Sequence, residues 1–106
     1  MKAIKLKNGG IALVDELDFE RVSALNWRRR DESHTSYAFT VLRLTNNGKR
    51  GTLKYILMHR FILQLTDPKI EVDHINHNGL DNTRMNIRPC TQAENIQNRR
   101  KRRKLT

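Results

Sequence analysis

The chain contains a single cysteine, Cys90. One thiol cannot form an internal disulfide, and a zinc site built on several cysteines is excluded for the same reason. We therefore expect a protein without structural zinc, in which Cys90 is a small buried residue.

Long apolar segments are also missing. No run is long enough to span a bilayer. Lys2, Lys5 and Lys7 interrupt the apolar pattern that an N-terminal signal peptide would need. We expect an intracellular, cytoplasmic protein with no membrane partner.

Acidic residues are scarce relative to basic ones. The chain has 21 Lys and Arg against 11 Asp and Glu, for a net charge of +10, and six of the basic residues form the run Arg99–Lys104. Without that run the balance is 15 against 11, or +4. A polyanionic partner is expected, and nucleic acid fits better than a membrane.

Aromatic residues make up only 6% of the chain. This small share argues mildly against a surface that stacks single-stranded bases, as an RNA-binding protein would use.

The 106 residues fit one compact domain of the α+β class. Alternating apolar residues bounded by turn signals predict a small antiparallel β-hairpin sheet in the front half. Apolar residues at helical spacing predict short helices, one ending near Leu25 and one over 58–65. The predicted strands are Lys2–Lys7, Ile11–Val14, Tyr37–Leu44 and Thr52–Ile56.

Two basic segments of the front half allow more than one interpretation. Trp27 is interpreted as a core residue, whereas the three arginines after it are either phosphate contacts or a solvated turn. Basic residues on the second hairpin either enter a DNA groove or protect a strand edge from aggregation. They are Arg43, Lys49, Arg50 and Lys54. We assign residues 1–57 to a β-rich subdomain that contacts DNA.

The chemistry concentrates in the second half, residues 58–106. Asp73 and His74 end an apolar segment, and a loop rich in Asn and Gly follows. Thr91 begins a Thr-x-x-Glu capping box that places Asn95 one turn into a helix. A hard cation takes carboxylate and amide oxygens, and a neutral imidazole accepts a proton near pH 7. Asp73 and Asn95 are thus candidate metal ligands and His74 a candidate base, provided that the strand bends or twists at Asp73-His74.

This ordered set resembles the HNH endonuclease family, with its ββα-metal motif, and especially its phage and homing-endonuclease members. The resemblance covers roughly residues 58–98 and implies that His74 is the general base. It implies that Asp73 and Asn95 hold one ion and that Asn86 ties the loop together. Many family members have His where this chain has Asn95. A Met-His-Arg triplet, here containing His59, often precedes the motif in that family.

Further residues are candidates for contact with the substrate. Arg84 and Arg88 could clamp phosphate. Arg99 and Arg102 share a helix face with Asn95, so they would meet the DNA backbone next. His59 is expected to support the site or to touch the scissile phosphate. His77 and His34 are weaker candidates.

The sequence therefore predicts a metal-dependent endonuclease that hydrolyses double-stranded DNA, either phage-encoded or acting in a bacterial host. One carboxylate in the motif favours a single Mg²⁺ or Mn²⁺ per site. The resemblance implies 5′-phosphate and 3′-hydroxyl ends. The alternative is a basic DNA-binding module in which the motif is vestigial. A monomer and a homodimer are equally compatible with the sequence.

Overall fold

The computed structural model describes residues 1–43 and 51–91, and within these it contains seven strands and two short helices. The α+β class predicted from the sequence is confirmed at this level. In chain order the elements are β1 (Lys2–Lys5), β2 (Ile11–Val14), α1 (Glu16–Ser23), β3 (Arg28–Asp31), β4 (Ser36–Arg43), β5 (Leu53–Leu57), α2 (Met58–Leu63), β6 (Ile70–His74) and β7 (Ile87–Thr91).

The strands form three small antiparallel sheets, with orders β1-β2, β3-β4-β5 and β6-β7. The single front-half sheet expected from the sequence is thus wrong, because the first hairpin does not pair with the second. Gly9 and Gly10, at φ of 108° and 84°, make the turn between β1 and β2, where left-handed backbone favours glycine. The segment 44–50, which contains the connection of the second predicted hairpin, and the helix predicted after Thr91 lie outside the described residues.

Strand β3 corrects the interpretation of Arg28–Arg30 as a turn. Its four residues pair with the first half of β4. On its other edge, the Asn8 side chain accepts a hydrogen bond from the Arg29 N–H at 2.6 Å and donates one to the Arg29 carbonyl at 2.7 Å. Charged residues on an edge strand oppose aggregation, and they also remove the apolar alternation by which a strand is recognised.

One apolar cluster joins both halves of the chain. Trp27 lies at its centre as predicted, only 1% exposed, and its indole N–H donates to the Val22 carbonyl at 2.7 Å. Met58 and Ile62 of α2 and Ile87 of β7 belong to the same cluster. The segments 1–57 and 58–91 therefore share a core, and burial of this apolar surface holds β6 and β7 against the front half.

Two connections fix the ends of the β6–β7 ribbon. The Arg60 guanidinium on α2 donates to the carbonyls of Asp67 and Ile70 at the start of β6. In the loop before β7, the Leu80 carbonyl accepts from the Leu13 N–H at 2.7 Å, and the Asn82 N–H donates to the Leu13 carbonyl at 2.8 Å. Neither helix in the described part of the chain is long and apolar enough to cross a bilayer.

Candidate functional site

A pocket of about 270 Å³ lies between β4, α2 and β6, and all four histidines of the chain border it. They are His34, His59, His74 and His77. Asp73 lines the same pocket, so the structure brings together two of the three residues that the sequence places at the centre of the site. The third, Asn95, lies outside the described residues.

Asp73 and His74 are the last two residues of β6, and each is 6% exposed. Pairing with β7 continues through both of them, Asp73 opposite Arg88 and His74 opposite Ile87. A break in the strand is therefore not what brings the two side chains to one pocket. Two-stranded ribbons twist more strongly than larger sheets, and this allows neighbouring side chains to meet at the ribbon's end.

The His74 ring is oriented by a buried amide. Its Nε2 lies 2.8 Å from Oδ1 of Asn82, which is completely buried. A carbonyl oxygen only accepts, so this contact requires the proton on Nε2 and leaves Nδ1 as the nitrogen with a lone pair. Burial lowers the pKa of His74, against the opposing effects of the Asn82 hydrogen bond and of the Asp73 and Asp81 charges. The imidazole is thus neutral at pH 7.

In the structure, the Asn86 side chain makes two hydrogen bonds within the loop between β6 and β7. Its Oδ1 accepts the backbone N–H of Asn76 at 2.9 Å, and its Nδ2 donates to the carbonyl of Asp81 at 2.8 Å. One buried amide therefore ties the two ends of the loop together. The side chain of Asn82, in contrast, contacts the ring of His74.

Two carboxylates face the pocket from β6. The Asp73 carboxylate accepts a hydrogen bond from the Arg88 guanidinium at 3.1 Å, so Arg88 contacts the candidate metal ligand directly. Glu71 also lines the pocket, and it shares a strand face with Asp73 because alternate residues of a strand point the same way. Glu71 is not among the predicted site residues, although the Glu-x-Asp spacing before His74 could have indicated it.

His59 packs beneath His74. Their ring centroids lie 5.0 Å apart in an edge-to-face arrangement, and both rings contact Tyr37, at 6.0 and 5.8 Å. His59 is 6% exposed, and its Nδ1 has no hydrogen-bond partner among the described residues. Burial lowers its pKa to about 3, with smaller contributions from the His74 and Arg60 charges. A ring that is neutral at pH 7 fits the predicted supporting role.

Tyr37, which the sequence interpretation treats only as a strand residue, joins these rings into one wall. His34 lies within 3.1 Å of the Tyr37 hydroxyl through its Nε2, at the exposed rim of the pocket. His77 borders the pocket from a turn, in which its N–H donates to the His74 carbonyl at 2.9 Å and its φ is 66°. Both weaker histidine candidates are thus neighbours of the site.

Arg84 lies elsewhere. Its guanidinium donates twice to the Asp18 carboxylate, at 3.0 Å each, and it does not line the pocket. This hydrogen bond is the main reason that the pKa of Asp18 is lowered and that of Arg84 raised. Arg84 therefore anchors the loop to α1. Arg99 and Arg102, the other predicted phosphate contacts, lie outside the described residues.

The donors present suit a hydrated hard cation better than a fully protein-bound one. Within residues 1–43 and 51–91, no three side chains of His, Cys, Asp or Glu are grouped as they would be around one ion. Mg²⁺ needs only one or two carboxylates, since it keeps several waters and takes phosphate oxygens from its substrate. Asp73 and Glu71 meet that requirement.

Comparison with protein-family models, with curated proteins and with solved structures finds no match to this chain.

Proposed function

We propose that this protein is a metal-dependent endonuclease of the HNH type that hydrolyses phosphodiester bonds in DNA. The observation that carries the proposal is the contact between His74 and Asn82 beside Asp73. A neutral histidine with a fixed tautomer next to a buried carboxylate is what general-base hydrolysis requires. The net charge of +10 supports a polyanionic substrate.

In this mechanism, His74 accepts a proton at Nδ1 from a water molecule as the water oxygen attacks phosphorus. The bond between phosphorus and the 3′-oxygen breaks as the new bond forms. Asn82 keeps the accepting nitrogen available and stabilises the imidazolium through its carbonyl oxygen. Neutral His59 and Tyr37 pack around the ring and limit its rotation.

Asp73 is the residue that would hold Mg²⁺ or Mn²⁺, with Asn95 as the second predicted ligand. When bound there, the ion would neutralise the charge that develops on the phosphoryl oxygens and on the leaving oxygen. Arg88 holds the Asp73 carboxylate in place by its hydrogen bond. Because Arg88 is half exposed, it can also reach a phosphate on the substrate.

A second function is supported by one specific observation. The Asp73 carboxylate already has a cationic partner in Arg88, and an internal ion pair can substitute for a metal ion electrostatically. In that case the protein binds DNA through its basic surface and the pocket has no catalytic role.

A plasmid nicking assay separates the two functions. Supercoiled DNA is incubated with the protein and Mg²⁺ or Mn²⁺, with and without a chelator, and binding is measured in parallel in the chelator. The nuclease proposal predicts nicked or linear products only with the metal. DNA binding without cleavage under any of these ions would establish the binding module instead.

A variant with Asp73→Asn tests the metal ligand without changing side-chain size. We expect cleavage to be lost while DNA binding in the chelator is retained. Met85→Ala is the matched control, because Met85 lies in the loop before β7 with its side chain 93% exposed. This control is expected to cleave like the unmodified protein.

A further inference from the structure

One face of the β3–β5 sheet is open to solvent and carries aromatic, apolar and basic side chains. Directly paired residues of an antiparallel ladder share a face, and the pairs are Arg28 with Phe39, Val41 with Tyr55, and Arg43 with Leu53. We call these six residues the open face. Tyr55 is 65%, Leu53 54% and Val41 37% exposed, whereas Ala38 and Thr40 on the opposite side are buried.

Two rings on the open face are stacked. The centroids of Phe39 and Tyr55 lie 5.2 Å apart, with 21° between the ring planes. Phe39 is the more buried of the two, and its ring covers one face of the Tyr55 ring. An exposed ring that is held by a second ring can stack a base on its other face at low cost in side-chain entropy.

The charge of the open face identifies the kind of partner. Arg28 and Arg43 are exposed on it, and the only acidic residue within the three strands, Asp31, belongs to the opposite face through its pairing with Ser36. Two copies of such a face would repel each other. Cations beside an exposed aromatic ring instead match a nucleic acid, which offers phosphates and flat bases together.

The open face leads directly into the pocket. Tyr37 points to the same side of β4 as Phe39, and its ring lies 5.8 Å from that of His74. Val41, which is paired with Tyr55, follows four residues later, about 13 Å along the strand at roughly 3.3 Å per residue. A DNA strand with one phosphate at His74 would therefore reach Tyr55 within a few nucleotides.

We propose that the open face stacks an unpaired base of the DNA strand being cleaved, so that the preferred substrate has a single-stranded segment beside the scissile bond. This inference rests on the proposed nuclease function. In an intact duplex the π-face of each base is covered by its neighbours, and only edges and phosphates can be contacted. An exposed ring in a stacking geometry is therefore best used by an unpaired base.

The test compares three fluorescent DNAs by anisotropy in the presence of a chelator, which prevents cleavage. They are a blunt duplex, the same duplex with a thymidine tail, and an oligothymidine. Tyr55→Ala is expected to weaken binding of the tailed duplex and of oligothymidine by about tenfold, the size of one lost stacking contact. Binding of the blunt duplex stays within twofold.

Three further variants sharpen this result. Tyr55→Phe retains a ring and is expected to bind all three DNAs like the unmodified protein. Leu17→Ala, at an exposed apolar residue of α1, is the matched surface control and is expected to change nothing. Arg43→Gln removes a cation of the open face that would contact phosphate, so it should weaken binding of all three DNAs and reduce the salt dependence of binding.

Equal losses of affinity for blunt and tailed DNA in Tyr55→Ala would overturn the inference in favour of groove contact. No loss of affinity for any of the DNAs would overturn it outright. Self-association that Tyr55→Ala abolishes, seen by sedimentation, would assign the open face to a second copy of the chain.

Cleavage is then mapped on the tailed duplex with Mg²⁺, where cuts at the junction are expected. Cleavage of DNA by a protein whose binding Tyr55→Ala does not affect would refute only the stacking inference. A tail-specific effect of Tyr55→Ala on binding, without any cleavage, would refute only the proposed nuclease function.

Discussion

The protonation state of His74 is decided by its surroundings rather than by a charged partner. Burial is the largest influence and lowers its pKa, while the Asn82 hydrogen bond and two carboxylates oppose that effect. The ring therefore stays neutral at pH 7 but can still accept a proton when a reaction delivers one. A general base needs this balance, because a permanently charged or a permanently inert ring cannot act as one.

We predict that cleavage falls as the pH drops through the lowered pKa of His74, because protonation removes the accepting lone pair. Since that pKa lies below about 6.5, the ordinary value for histidine, activity should stay level from pH 8 to near 6.5 and decline in more acidic buffer. The measurement is kcat/KM against pH at saturating metal. A rate that does not change between pH 4 and 8 would contradict the assignment of His74.

Asn82 is predicted to be a positioning residue for His74. Asn82→Ala removes the acceptor at Nε2, so the ring can adopt either tautomer, and cleavage should fall by about 10–100-fold. The ¹⁵N chemical shifts of the ring, measured by NMR, should show mainly the Nε2–H tautomer in the unmodified protein and a mixture in the variant. A ring that keeps one tautomer after the substitution would assign Asn82 to folding alone.

Among single residues, the sequence predicts the polar side chains at the centre of the site better than the side chains that surround them. Asp73, His74 and Asn86 stand in one ordered motif, so their chemistry can be inferred from their types and spacing. Tyr37 lies far away along the chain and reaches the pocket only because β4 packs beside α2. No local pattern marks such a residue, because its role depends on tertiary packing.

Contacts on two sides hold the loop between β6 and β7 in place. Backbone hydrogen bonds join Leu80 and Asn82 to Leu13 of β2. On the other side, the Gly79 N–H donates to the Thr35 hydroxyl at 2.9 Å, and Gly79 lies directly against Ser36. The first hairpin and the start of β4 therefore determine where the loop presents Asn82 to His74.

Gly79→Ala is predicted to disturb this packing. A Cβ at this position would lie 2.2 Å from the Ser36 carbonyl oxygen and 2.6 Å from the Tyr37 ring, and the backbone atom cannot move aside cheaply. We expect the free energy of unfolding to fall by about 1–3 kcal/mol. The measurement is urea denaturation followed by the fluorescence of Trp27. Unchanged stability in Gly79→Ala would mean that the loop is not packed here.

Among the elements, the sequence predicts the strands with apolar alternation and misses β3. Thr52–Ile56 is displaced from β5 by one residue at each end, and the strand predicted from Tyr37 begins one residue after the start of β4. Strand β3 consists of three arginines and an aspartate, so pairing with β4 and the Asn8 contact define it rather than its own pattern. The division of the strands into three sheets also depends on contacts distant in sequence.

At the level of the whole molecule, the site depends on the core that residues 1–57 and 58–91 share, so a loss of global stability also disrupts the site. His59 lies between that core and the pocket, buried and neutral. Its pKa in the folded protein is about 3, whereas an unfolded histidine has a pKa near 6.5. The unfolded state therefore takes up a proton first as the pH falls, and protonation opposes folding.

The predicted consequence is a loss of stability as the pH falls from about 6.5 toward 3. Asp18 adds a loss at the acidic end, because its lowered pKa stabilises the fold only while the carboxylate is ionised. Urea denaturation at a series of pH values measures both effects. His59→Phe cannot be protonated, so its stability should depend less on pH between 6.5 and 4. An unchanged dependence would mean that His59 is protonated in the folded protein.

The most direct test of the central claim is cleavage and DNA binding measured side by side for His74→Ala. The account predicts that cleavage in Mg²⁺ falls by at least about 100-fold, the usual contribution of a general base, while binding in the chelator stays within twofold. Retained cleavage in His74→Ala, or cleavage and binding lost to the same extent in a folded variant, would contradict it.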